Sequence, residues 1–152
     1  MSREGKSPWV ILNAHYLIKL GTFVRASTRK SNEFRDLVLS RIESAVPDFE
    51  ADIGENETAA YDEQWNRIVT LDLIPHPRQS HPEIVERDFA MKRGVLKIEL
   101  RAAVAGYVLQ LWNVDCSPER RLDPQIHRLC LRDVSQIAAI KSAEIAPGGI
   151  TN

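Results

Sequence analysis

Two periodicities meet between Glu83 and Asp115, and their junction constrains the fold more than any other stretch. Val95-Leu96-Lys97-Ile98-Glu99-Leu100 alternates apolar and charged residues with period two, the pattern of a half-buried strand. From Leu100 the apolar side chains fall at 100, 103, 104, 107, 108 and 111, the stripe of an amphipathic helix. A strand that runs directly into a helix presents one apolar face, and other elements must cover it. The chain of 152 residues, 43% hydrophobic and 27% charged, has the composition of a globular protein large enough to do so without a metal or disulfide staple. On this ground alone it is a soluble α+β protein.

The rest of the second half supplies partners for that junction. Trp65 to Ile74 alternates, with Val69, Leu71 and Leu73 on the apolar side, and Pro75-His76-Pro77 ends the strand because proline cannot donate to a ladder. Ser80 with Glu83 three residues on reads as a capping box for a helix to about Arg87 that turns Ile84 and Val85 inward. Ile126 to Leu131 alternates again. Asp133 is a good N-cap for a terminal helix from Val134 to Ile145, stopped by Pro147-Gly148-Gly149. The order is β-α-β-α-β-α, a sheet with helices on one side.

In the first half, Trp9 to Leu12, Tyr16 to Leu20, Thr22 to Ala26 and Phe34 to Ile42 read as three or four short strands, part of a small barrel, although Ala14 to Leu20 also fits a short helix. Lys19 to Arg41 holds six basic residues against two acidic ones, a local balance of +4, whereas Glu43 to Glu63 holds eight acidic residues and no basic one. Such a switch marks a boundary, and Pro47 to Tyr61, acidic and without apolar periodicity, reads as a linker.

Catalytic signatures are missing. His76 and His81 are five apart across a proline-rich turn, not four apart on one helix face as zinc-binding histidines usually are. There is no GxSxG, GxGxxG or P-loop, and Cys116 and Cys130 have no metal-ligand spacing. No enzyme activity, metal or cofactor is expected. No apolar run approaches the ~18 residues of a membrane span, and the expected location is the cytoplasm. Arg25 near Phe23 and Arg35 beside Phe34, with Arg41, suit anion forks and base stacking. On the residues alone, surface positions paired with Glu33, Asp36 and the acidic linker suit them better.

Several segments together resemble one family, the bacterial WYL-domain transcriptional regulators with a C-terminal WCX extension. Gly21-Thr22-Phe23-Val24-Arg25-Ala26 and Phe34-Arg35-Asp36-Leu37-Val38-Leu39-Ser40-Arg41-Ile42 are similar to the WYL half. Asp62, Trp65, Pro75-His76-Pro77, Glu86, Asp88-Phe89-Ala90-Met91, Gly94, Arg101-Ala102 and Tyr107-Val108-Leu109 follow the extension in order. Thr22-Phe23 stands where the family has its naming aromatic-polar pair, and Asn13-Ala14-His15 where it often has Pro-His.

The resemblance implies a partial Sm-like β-barrel over 1–45, an acidic linker over 46–61, a WCX-like α+β extension (a small α/β sandwich) over 62–146, and a tail over 147–152. It also implies that Arg25, Arg35 and Arg41, with Phe23 and His15, line a pocket for an anionic ligand, a nucleotide or single-stranded nucleic acid. The extension would form a homodimer, and DNA would be reached only through a helix-turn-helix domain that this chain lacks. The expected role is therefore the ligand-sensing and dimerising part of a regulator, as a fragment or a truncated gene. The alternative is a stand-alone nucleic-acid-binding or interaction protein that heterodimerises with a full-length regulator.

Overall fold

A computed structural model describes residues 9–18 and 21–149, with residues 9–18, 21 and 22 described by their backbone alone. The chain divides into two compact units, one ending at Glu63 and one starting at Gln64. Both are mixtures of strand and helical turn, so the α+β class holds.

The first unit is an antiparallel meander of β1 (Trp9–Ile18), β2 (Gly21–Thr28) and β3 (Glu33–Val38), in that spatial order. The two apolar runs expected around Asn13-Ala14-His15 are one strand. The polar interruption is taken up by a register shift between Ile11 and Ala14, where an irregularity absorbs extra residues without ending the pairing. The β2–β3 turn closes at Asn32, whose φ of 52° is a left-handed conformation that asparagine tolerates. Residues Phe23 to Thr28 of the central strand are all buried, and among the described residues the sheet is open, not a closed barrel.

After β3 a 3-10 turn, Leu39–Arg41, leads into the acidic stretch, where Val46, Phe49 and Ile53 are 85%, 94% and 60% exposed. Two further 3-10 turns, Glu55–Glu57 and Ala59–Tyr61, complete the unit. They are tied to the hairpin turn: Arg29 donates to both carboxylate oxygens of Glu57 (2.5 and 2.9 Å) and to the Asp52 carbonyl (2.7 Å). Asn56 donates to Asn32 (2.8 Å). The hydrogen bonds from Arg29, helped by the Gly54 amide, hold the Glu57 carboxyl down to about 2.

A short helix, α1 (Glu63–Asn66), precedes the second sheet. That sheet contains β4 (Ile68–Pro75), β5 (Leu96–Arg101), β6 (Val114–Asp115) and β7 (Leu129–Leu131) in the order β5-β4-β7-β6, antiparallel except for the β6–β7 pair. Between them run α2 (Pro82–Asp88) and α3 (Ala102–Leu111). Val69, Leu71 and Leu73 enter the core as their alternation requires, joined by Val85, Leu109, Leu129, Leu131, Ile137 and Ile140.

Three expectations change in this unit. The helix α2 starts at Pro82 with His81 at its N-cap, not Ser80, and the cap makes no side-chain hydrogen bond; Val85 is buried but Ile84 is 46% exposed. The terminal helix is two 3-10 segments, Val134–Ile137 and Lys141–Ile145, separated by Ile140 in an extended conformation. Asp133 does cap the first, accepting from the Ser135 amide.

Third, α3 buries Ala102, Ala103, Ala105, Gly106 and Leu109, leaving Val104, Tyr107, Val108 and Leu111 half-buried. Small side chains let the Lys141–Ile145 segment press directly on the helix. A Cβ on Gly106 would stand 1.7 Å from the Ser142 carbonyl oxygen. In the same contact the Ser142 hydroxyl donates to the Ala102 carbonyl (2.7 Å) and accepts from the Gly106 amide (3.0 Å).

Candidate functional site

Two of the arginines singled out by sequence, Arg25 and Arg35, do not converge. Cross-strand partners share a face of the sheet, and the β2–β3 register sets Arg25 opposite Asp36 but Ala26 opposite Arg35. Arg25 and Arg35 therefore point to opposite faces. Arg25 is buried and donates its Nε and Nη2 (3.0 Å) to Asp62 and its Nη1 to Asp36 at 2.9 Å. Burial opposes its charge, but the two carboxylates outweigh burial and raise its pKa. The bidentate fork expected for a ligand is thus filled from within the unit.

Arg35 is exposed and meets Glu33 at 3.2 Å, a surface pair worth little. Arg41 is exposed in the turn after β3. Phe23 is buried on the Arg25 face, opposite Val38. His15 pairs with Val24 through the backbone, and its side chain lies outside the described residues. Sequence reasoning weighed Asp36 as a partner for these arginines. It named Asp62 only as a motif residue, because nothing local brings residue 62 to residue 25.

The motif residues of the second half build the unit itself. The Arg101 guanidinium lies 4.7 Å from the Trp65 ring centroid and donates to the Trp65 carbonyl (2.6 Å), fixing α1 to the start of α3. Asp88 pairs with Arg128 at 2.5 Å. Ala90, Arg93 and Gly94 take the positive φ values, 49°, 55° and 73°, that turn the chain from α2 into β5.

His76, wholly buried, sits 3.2 Å from Asp115 through Nε2, while its Nδ1 accepts from the Arg78 amide. Asp115 also accepts from the Ser117 amide and hydroxyl (2.8 and 2.6 Å) and the Leu122 amide (3.0 Å). Burial would raise its pKa, but these donors together lower it. Both His76 ring nitrogens and both Asp115 oxygens are engaged with other protein groups, and the Ser117 hydroxyl is spent on a carboxylate. The arrangement locks three chain segments together.

Burial pushes the Cys116 thiol up to about 12 and the Cys130 thiol to about 11, far from a reactive thiolate. Among the described residues no group of three His, Cys, Asp or Glu side chains is placed to hold a metal ion. Among the described residues no helix is long and apolar enough to cross a membrane.

Residues 68–137, the sheet and its helices, match the family model described as the BrxR transcriptional regulator, C-terminal dimerization domain. Over this stretch the chain is similar to a domain described as C-terminal in a bacterial transcriptional regulator. Over 136 residues it is 32% identical to the DNA-binding transcriptional repressor CapW of Escherichia coli strain KTE188, covering 85% of this chain and 43% of that protein. CapW of Pseudomonas aeruginosa is 31% identical over 134 residues, 84% of this chain and 42% of the relative. The chain spans less than half the length of these curated relatives. The resemblance to bacterial regulators stated from the sequence motifs is met, and the matched dimerization domain contains β4, α2, β5 and α3.

Proposed function

We propose that the chain is the dimerising and effector-sensing part of a bacterial transcriptional repressor. The carrying observation is the match of residues 68–137, which contain the whole four-stranded sheet of the second unit, to a regulator dimerization domain. We read that unit as the WCX-like extension and the three-stranded meander as part of an Sm-like WYL barrel. DNA contact is assigned to a helix-turn-helix, which neither unit shows among the described residues; the CapW relatives are named as DNA-binding.

In the first unit the geometry favours Arg35 and Arg41 over Arg25 as contacts for an anionic effector such as a nucleotide or single-stranded nucleic acid. They are exposed, whereas Arg25 is already neutralised by two carboxylates. Arg25 and Phe23 then act as the internal support of the sheet. The test is fluorescence anisotropy with a labelled single-stranded oligonucleotide. An Arg41→Glu variant is expected to lose binding, and unchanged binding removes the pocket. Light scattering after gel filtration tests the dimer, which a monomeric mass would refute.

A further inference from the structure

The long open edge of the second sheet is β5. Among the described residues β5 pairs only with β4, and the opposite edge, β6, is two buried residues long. An exposed edge of six residues is a ready template for another strand. Its outward groups can be named. The Ala102 amide donates to the Arg67 carbonyl at 2.9 Å, one pair beyond the Ile68–Arg101 position of the ladder. Hydrogen-bonding direction alternates along a strand, so Leu96, Ile98 and Leu100 turn their backbone groups toward β4. Lys97 and Glu99 turn theirs outward.

The β5 sequence is its own antiparallel complement. Leu96-Lys97-Ile98-Glu99-Leu100 reads apolar, cation, apolar, anion, apolar, with the charged residues on the solvent face beside Thr70 and Asp72. We propose that two copies of this chain pair β5 with β5 about a two-fold axis through Ile98, making one continuous eight-stranded sheet. This rests on the dimerisation reading above and names the surface that performs it.

In that register Lys97 stands opposite Glu99 of the second copy, twice by symmetry, and Leu96 stands opposite Leu100. The outward amides and carbonyls of Lys97 and Glu99 then meet as hydrogen-bonded pairs. Moving the axis to Lys97 sets lysine against lysine. Moving it to Glu99 sets glutamate against glutamate and Lys97 against Arg101, and cross-strand like charges are destabilising. A one-residue slip opposes charged and apolar residues. An interface built on a two-fold must be self-complementary, and this strand is so in one register.

The apolar side agrees. Leu96, Ile98 and Leu100 point to the core face yet remain half-exposed in the single chain, and Val104, Val108 and Leu111 of α3 are left half-exposed as well. Lys97 is 63% exposed and bonds Asp72 with one of three ammonium donors, so donors remain for a second carboxylate.

The test uses the full chain in three forms, each checked for folding by circular dichroism, with mass read by light scattering. An Ile98→Cys variant should oxidise to a covalent dimer, because a non-hydrogen-bonded antiparallel pair brings Cα atoms to about 4.5 Å, within disulfide reach. The buried Cys116 and Cys130 do not compete. Lys97→Glu and Glu99→Lys should each weaken self-association roughly tenfold, since each sets like charges together at two symmetric points. Mixed together, those two variants should recover the dimer, because the heterodimer restores both opposite-charge pairs. A wild-type dimer whose Ile98→Cys form does not cross-link and whose charge variants associate normally overturns the β5 interface alone. A monomeric wild-type chain overturns it together with the dimerisation reading.

Discussion

Arg25 shows how a residue chosen for its chemistry can have that chemistry spent elsewhere. Its guanidinium holds Asp36 and Asp62 in a buried site, and removing it takes the shared cation from two carboxylates. Arg25→Ala is therefore expected to cost about 3 kcal/mol of stability, as for other broken buried pairs, in a urea titration. Gly106 is constrained by space. Gly106→Ala forces a methyl into the Ser142 carbonyl and should lower stability by roughly 2 kcal/mol or more. Glu57 and Asp115 both have lowered folded-state pKa values. A depressed carboxyl contributes stability that is complete above its unfolded value of about 4 and is lost as pH falls through the folded one. Stability should thus be flat on this account from neutral pH to about 4.5 and fall below it. A Glu57→Gln variant should lose less stability than wild type between about pH 4 and pH 2, as followed by thermal melts.

The helix α3 was half legible at the level of elements. Its position and length followed from the periodicity beginning at Leu100, but the stripe read from large apolar residues is the half-exposed one. Pattern reading gives weight to Val, Tyr and Leu, whereas close packing against the Lys141–Ile145 segment needs Ala and Gly. Only the partner's proximity reveals that. Leu109, on the buried face, should cost about 3 kcal/mol when changed to Ala, and Val108, on the other, under about 1 kcal/mol, by chemical unfolding. The strands fared better: Val69, Leu71 and Leu73 were assigned inward from alternation alone and are buried. The terminal helix failed because capping and apolar content cannot distinguish an α-helix from two 3-10 segments broken at Ile140. In the first unit, charge and aromatic spacing pointed to arginines whose chemistry suits anions. Which of them are already occupied depends on the contact of Arg25 with Asp62, 37 residues apart.

For the whole molecule, the two units divide the work proposed here, with exposed arginines in one and an open sheet edge in the other. If association is coupled to folding, the melting temperature should rise with protein concentration. A tenfold increase adds about 1.4 kcal/mol per mole of dimer by mass action. A concentration-independent Tm in differential scanning calorimetry would separate folding from association. The acidic stretch has a practical consequence of another kind. Between Glu43 and Glu50 the side chains are exposed and the backbone belongs to no strand or helix. Such a segment accepts inserted sequence at little cost, since lengthening a loop adds only a logarithmic entropy term. A small fluorescent domain spliced between Asp48 and Phe49 should leave both sheets intact, giving a grafting point for an optical reporter of effector binding.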